Sequence, residues 1–278
     1  MITVSNIDGK KTFFLLLFVF PSSLFGQGNV INLGKSDKRP LMFVYRPIHK
    51  MTATLSAVIV CSGGSYRHTA DEVEGEPAAN LLAANGITAF LLDYRIPDGR
   101  DSMPLADAQK AIRYVKEHAK EYHVRPDRIG IMGFSAGGHL ASSVGTHWRN
   151  SYDTSNTLIS DRPDFMVLVY PLISFADSLT HILSRSNFLG NDLRSESIRE
   201  FSNELQVKDD TPPTFIVAAL DDDVVKVENS LYFEAALRQH HVPAEIFLYA
   251  KGGHGFGIYN ETASVQWTDA CINWIRKL

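Results

Sequence analysis

Seven short runs rich in Val, Ile, Leu and Phe punctuate this chain, and longer segments with apolar residues three or four apart separate most of them. A five- or six-residue run with no polar face must, as a strand, be covered on both sides, and strands buried on both faces belong to parallel sheets flanked by helices. The candidate strands lie at 41–46, 57–61, 88–93, 128–133, 165–170, 214–219 and 244–249. Helical spacing places helices near 76–85, 104–122, 137–147, 228–240 and 264–277. In the second of these, Leu105, Ala108, Ile112 and Val115 form one apolar stripe that suits packing on a sheet. The pattern therefore predicts an α/β fold with a mostly parallel, twisted sheet. At 278 residues and 45% hydrophobic content, one such core suffices. A segment at about 174–210 lacks strong periodicity and is expected to be a surface or cap insertion.

Residues 1–26 are expected to be an address rather than part of that domain. Lys10 and Lys11 precede the apolar run from Thr12 to Phe20, and Pro21 and small residues follow, the three-part layout of a secretory signal with cleavage near Gly26-Gln27. The mature chain, 27–278, would be exported, periplasmic or extracellular, with no membrane anchor after signal removal. The net charge is −4 with no Lys/Arg block, which argues against a nucleic-acid partner. Cys61 and Cys271 are too few for a disulfide framework and too far apart for zinc-ligand spacing, so both read as buried thiols.

The stretch Gly133-Phe134-Ser135-Ala136-Gly137 matches G-x-S-x-G between a candidate strand and a candidate helix. That context makes Ser135 a candidate nucleophile, exposed on a tight strand-to-helix turn whose glycines relieve crowding. A serine hydroxyl needs a base, and the base needs an orienting carboxylate. His254, within Lys251-Gly252-Gly253-His254-Gly255-Phe256-Gly257, is the candidate base. The acid is expected after the strand at 214–219, where Asp221, Asp222 and Asp223 are adjacent. They cannot all be buried; Asp222 is placed first, then Asp221, then Asp223. His49, His118, His123, His147, His240 and His241 read as surface residues, and His68 and His181 as rim residues. Ser62-Gly63-Gly64-Ser65-Tyr66 follows the strand at 57–61.

From about Leu41 onward the chain resembles the α/β-hydrolase superfamily, and within it the secreted acetylxylan esterases and related acetyl and feruloyl carbohydrate esterases. The resemblance rests on Cys61-Ser62-Gly63-Gly64-Ser65-Tyr66, Leu92-Asp93-Tyr94-Arg95, Gly133 to Ala141, Tyr170-Pro171-Leu172-Ile173-Ser174, Thr211-Pro212-Pro213-Thr214-Phe215 and the His254 loop. It implies the chain order Ser135, Asp222, His254 for a catalytic triad. It also implies an oxyanion hole built from backbone N–H groups of Gly64 or Ser65 together with Ala136. Tyr66, Arg67 and His68 would line the mouth and bind substrate, and Ser184-Arg185 could contact a leaving sugar. Tyr94-Arg95 is assigned to packing and loop anchoring. Ala218-Ala219 replaces the His-Gly common before the family's acid, and Lys226 stands where Pro is common.

The implied function is a secreted serine ester hydrolase that removes acetyl, or feruloyl, groups from xylan or xylo-oligosaccharides, with no metal or organic cofactor. The substrate would be a small ester or an acylated oligosaccharide. A prolyl-oligopeptidase-like peptidase is the alternative enzyme, and a non-catalytic glycan- or partner-binding hydrolase fold is the alternative of another class.

Overall fold

The computed structural model describes residues 30–34, 39–47, 55–97, 99, 102–152 and 158–278. The secretory leader read at 1–26 and His49 lie outside the described residues. Eight strands among the described residues build one sheet: β1 (Val30–Asn32), β2 (Leu41–Tyr45), β3 (Ala57–Cys61), β4 (Thr88–Asp93), β5 (Ile129–Phe134), β6 (Met166–Val169), β7 (Thr214–Ala219) and β8 (Ala244–Tyr249). Their order is β1-β2-β4-β3-β5-β6-β7-β8. The β1–β2 and β2–β4 pairs are antiparallel, and from β4 through β8 every pairing is parallel. The α/β class and the mostly parallel sheet read from the apolar runs are thus present.

Strand alternation sends successive side chains to opposite faces. On β3, Ala57, Ile59 and Cys61 join one buried cluster while Val58 and Val60 join the other. The first cluster is closed by α2 (Ser102–Glu117), α3 (Ser135–Thr146) and α6 (Glu228–Gln239), the second by α1 (Glu76–Ala84) and α7 (Trp267–Lys277). Cys61 and Cys271 are free, buried thiols, and burial pushes both well above the ordinary thiol range.

Three departures from the sequence reading have physical causes. β1 is a three-residue edge strand, too short for its period to register. The insertion between β6 and β7 is not irregular: it contains α4 (Ile182–Leu189), α5 (Ser195–Glu200) and a 3-10 turn at Asn203–Leu205. Phe175, Phe188 and Phe201 from this stretch are buried in the main core, so it is part of the domain's packing. Finally, α3 begins at Ser135 itself rather than at Gly137, because the turn from β5 is made within a single residue. No helix among the described residues is long and apolar enough to cross a membrane.

Candidate active site

Ser135, Asp222, His254 and the Gly63–Gly64 segment all follow the carboxyl ends of parallel strands, where an open α/β sheet leaves its crevice. Ser135 connects β5 to α3 with φ 51°, in the left-handed region that non-glycine residues avoid. Neighbouring glycines let the turn close. A Cβ on Gly133 would overlap the Gly137 carbonyl, one on Gly137 would overlap the Cys61 carbonyl, and one on Gly138 would lie 2.6 Å from Pro171 Cβ. The Ser135 carbonyl accepts from Leu172 N–H at 3.0 Å, which fastens the turn to the end of β6.

The last two strands deliver the partners of the Ser135 hydroxyl. Ser135 Oγ lies 2.8 Å from His254 Nε2, and His254 Nδ1 lies 2.7 Å from Asp222 Oδ2. A carboxylate can only accept, so Nδ1 donates to Asp222 and Nε2 is left to accept the serine proton. The Asp222 side chain is 1% exposed, and its Oδ1 accepts from Val224 and Val225 N–H at 3.0 and 2.8 Å. Asp221 faces outward and accepts from Gly253 N–H at 2.8 Å, bracing the loop next to His254, while Asp223 is exposed. That loop is further held by Asn260, which donates to Lys251 O at 2.8 Å, and by Trp267 Nε1, which donates to Gly257 O at 3.1 Å.

Across the crevice, Gly64, Ser65 and Tyr66 take successive φ values of 111°, 57° and 57°. This left-handed run folds the segment back on itself, with Gly64 O accepting from Arg67 N–H at 2.9 Å. The N–H groups of Gly64, Ser65 and Ala136 donate to no described residue. Gly63 abuts Ser135: a Cβ there would lie 2.9 Å from Ser135 Cβ. Asn187 Nδ2 donates to Ser65 O at 2.8 Å and also lines a cavity of about 570 Å³ with Ser186, Asn191 and Asp192.

Several expected positions differ. Tyr66 does not line the mouth: it is 0% exposed, packs on Phe188 and Tyr94, and pairs its hydroxyl with His139 Nδ1 at 2.8 Å. Arg67 and His68 are exposed. Ser184 and Arg185 face inward, Ser184 to His181 Nδ1 at 2.8 Å and Arg185 to Phe175 O at 2.7 Å, so neither is presented to a sugar. His147 is buried beside Phe201, and desolvation holds its pKa below the usual histidine value. His181 is lowered too, first by burial and next by the charge of His254, which places it beside the site. Tyr94 and Arg95 anchor: Tyr94 OH donates to Ser62 O at 2.8 Å, and Arg95 chelates Asp107.

Sequence reasoning missed Glu74 and His139. Glu74 is 5% exposed and accepts from Gly63 N–H at 2.6 Å and from Tyr170 OH at 3.0 Å. Desolvation raises its pKa, against the lowering effect of its Gly63 and Tyr170 hydrogen bonds. His139 follows the G-x-S-x-G glycines and is fully buried; its Nε2 donates to Phe201 O at 2.9 Å, and burial depresses its pKa to about 3. Among the described residues no group of three or more His, Cys, Asp or Glu could hold a metal ion.

A family model, BD-FAE, matches residues 42–237. An acetylxylan esterase of Xylanibacter ruminicola is 35% identical over 72% of this chain and 41% of its own length. An endo-1,4-beta-xylanase B of Butyrivibrio fibrisolvens is 34% identical over 82% of this chain and 36% of its own length. The chain thus spans about two fifths of these relatives. Among solved structures, an acetyl ester-xyloside bifunctional hydrolase from Caldicellulosiruptor lactoaceticus superposes with a TM-score of 0.81 at 36% identity, covering 92% of this chain and 98% of that one. With the family model spanning more than half the chain, this chain belongs to the BD-FAE family of the α/β-hydrolase superfamily.

Proposed function

We propose that this protein is an exported serine esterase that deacetylates acylated xylan or xylo-oligosaccharides through Ser135, His254 and Asp222. The observation that carries the reading is the continuous hydrogen-bonded chain from Ser135 Oγ through His254 to buried Asp222. Ser135 Oγ attacks the ester carbonyl carbon as His254 Nε2 takes its proton, and Asp222 stabilises the imidazolium. The carbonyl oxygen, now an anion, is received by the N–H of Ala136 and that of Gly64 or Ser65; one such donor contributes roughly 10²–10³ in rate. The imidazolium returns its proton to the departing alkoxide, and the acyl group stays on Ser135. Water, deprotonated by His254, then releases the carboxylic acid.

Substrate class rests on kinship with proteins named for acetylxylan and xyloside hydrolysis. The test is acetate release from acetylated xylo-oligosaccharides by wild type and Ser135→Ala, with ferulate release from feruloylated arabinoxylan measured alongside. Wild type releases acetate and Ser135→Ala loses on the order of 10⁶ in kcat; equal rates would overturn the assignment. In the same assay Asp222→Asn loses about 10⁴ in kcat, and Asp223→Asn stays close to wild type. Export is checked by mass spectrometry of the secreted N-terminus, which is expected near Gln27.

A further inference from the structure

Residues Asp71–Gly75 form a π-helical turn immediately before α1. Such a turn adds a residue to the helical ladder and re-aims the side chains around it, a device frequent at functional sites. Here two carboxylates are aimed at the end of β3: Asp71 Oδ1 accepts from Ser62 Oγ and Glu74 Oε2 from Gly63 N–H, both at 2.6 Å. The other oxygen of Glu74 reaches across the crevice. Tyr170, held just past β6 at φ 34°, accepts from Gly257 N–H at 3.1 Å and so sends its own proton to Glu74 Oε1 at 3.0 Å. The Tyr170 ring lies 4.8 Å from the His254 ring, centroid to centroid. A carboxylate buried this deeply is costly unless its lone pairs are met, and these two oxygens are met by the two loops that flank Ser135.

We infer that Glu74 is a positioning residue for the hydrolysis proposed above: one oxygen fixes the oxyanion segment through Gly63, and the other fixes the His254 loop through Tyr170 and Gly257. The inference rests on the serine-esterase reading for its catalytic consequence and on geometry alone for the anchoring. Glu74 also places a second negative charge near the imidazolium that His254 becomes. The groups facing Glu74 are Asp71 in its own turn, Tyr94 after β4, Tyr170 and His254. Those facing His254 are Asp222, His181, Glu74 and Tyr170.

Glu74→Gln in the full chain is the direct test, because the amide keeps the shape but has one acceptor where two are needed. It should lower kcat on a chromogenic acetate ester about tenfold or more with KM little changed, since small misplacements of reacting groups are expensive. The acidic limb of kcat/KM should move to lower pH, and the Gly63 and Gly257 amides should exchange faster by NMR. Tyr170→Phe, which removes one hydroxyl and retains the ring, should quicken exchange at Gly257 alone and lower kcat several-fold with the limb in place. A Glu74→Gln enzyme with unchanged kcat per titrated active site and an unchanged pH profile, whatever its Tm, would overturn the inference. If Glu74→Gln does not fold, Tyr170→Phe decides, and wild-type kcat with unaltered Gly257 exchange counts against it. An inactive wild type would sink the esterase reading instead, while amide exchange would still judge the anchoring.

Discussion

In the turn that carries Ser135, a methyl group on Gly133 or Gly137 would overlap the backbone of a neighbouring segment; in the loop that carries His254, one on Gly253 or Gly255 would meet nothing within 4 Å. The glycines of the first region are there because another chain segment passes too close for a side chain. Gly253 and Gly255, which flank His254, are there because the backbone turns left-handed, with φ 59° and 83°; only Gly252 and Gly257, at the ends of that loop, also pass close to a neighbour. One half of the site is therefore built by close packing and the other by local conformation and a few hydrogen bonds. The Ser135 side should be intolerant and rigid, and the His254 side tunable.

The sharpest way to break this comparison is Gly137→Ala. Overlap with the Cys61 carbonyl cannot be relieved by a side-chain rotation, so the loss should reach about 3 kcal/mol or more, read as absence of a folded species or a large drop in urea midpoint. A near-wild-type midpoint would show that α3 and the end of β3 can part at no cost. Next is acid sensitivity, which the packed side carries through His139. Neutral in the fold with a pKa of about 3, His139 gains a proton on unfolding below pH 6.5, so stability is full above that pH and declines toward pH 3. Between pH 7 and pH 5 this contributes a loss of about 2 kcal/mol, and His139→Asn should flatten the trend in urea titrations at the two pH values.

On the tunable side, Gly255→Ala should cost about 1 kcal/mol in stability, the penalty of a left-handed non-glycine residue, with the fold intact by circular dichroism. Asp221→Ala should do least. Removing the acceptor of the Gly253 N–H should lower kcat only a few-fold, in keeping with about 1 kcal/mol for an exposed hydrogen bond. A loss as large as that of Asp222→Asn would mean that the outer acid does more than brace the loop.

How much of this was legible in the amino-acid order follows from the same contrast. Strands such as Ala57–Cys61 and Ile129–Phe134 are buried at every position, and a continuous apolar run announces itself. Val30–Asn32 is a three-residue edge strand, with Val30 56% exposed, and leaves no such mark. Ser135, Asp222 and His254 were locatable because each stands just past a strand in a glycine- or acid-rich turn. Asp222 is ranked ahead of Asp221 in the sequence, and in three dimensions the two part: one points at an imidazole and the other at a backbone amide. Glu74 was invisible for a different reason: a lone glutamate among Asp71, Glu72 and Glu76 looks like a solvated helix start, and the π-helical turn that points it inward breaks the very period used to assign faces. Tyr66 and His147 went astray likewise, since their burial depends on the segment around Phe188 and Phe201, whose short helices carry too few turns to show an apolar stripe.

Ser135 and His254 are separated by 119 residues, and the base arrives on a loop that follows the sheet's last strand to be synthesised. The Ser135 turn is set by contacts with the segments after β3 and β6, whereas its imidazole partner depends on β8 pairing with β7 at the edge of the sheet. Until β8 zips onto β7, that hydroxyl is an ordinary alcohol with no proton acceptor. On the proposed chemistry, local opening at this edge of the sheet would silence Ser135 while leaving its own turn in place.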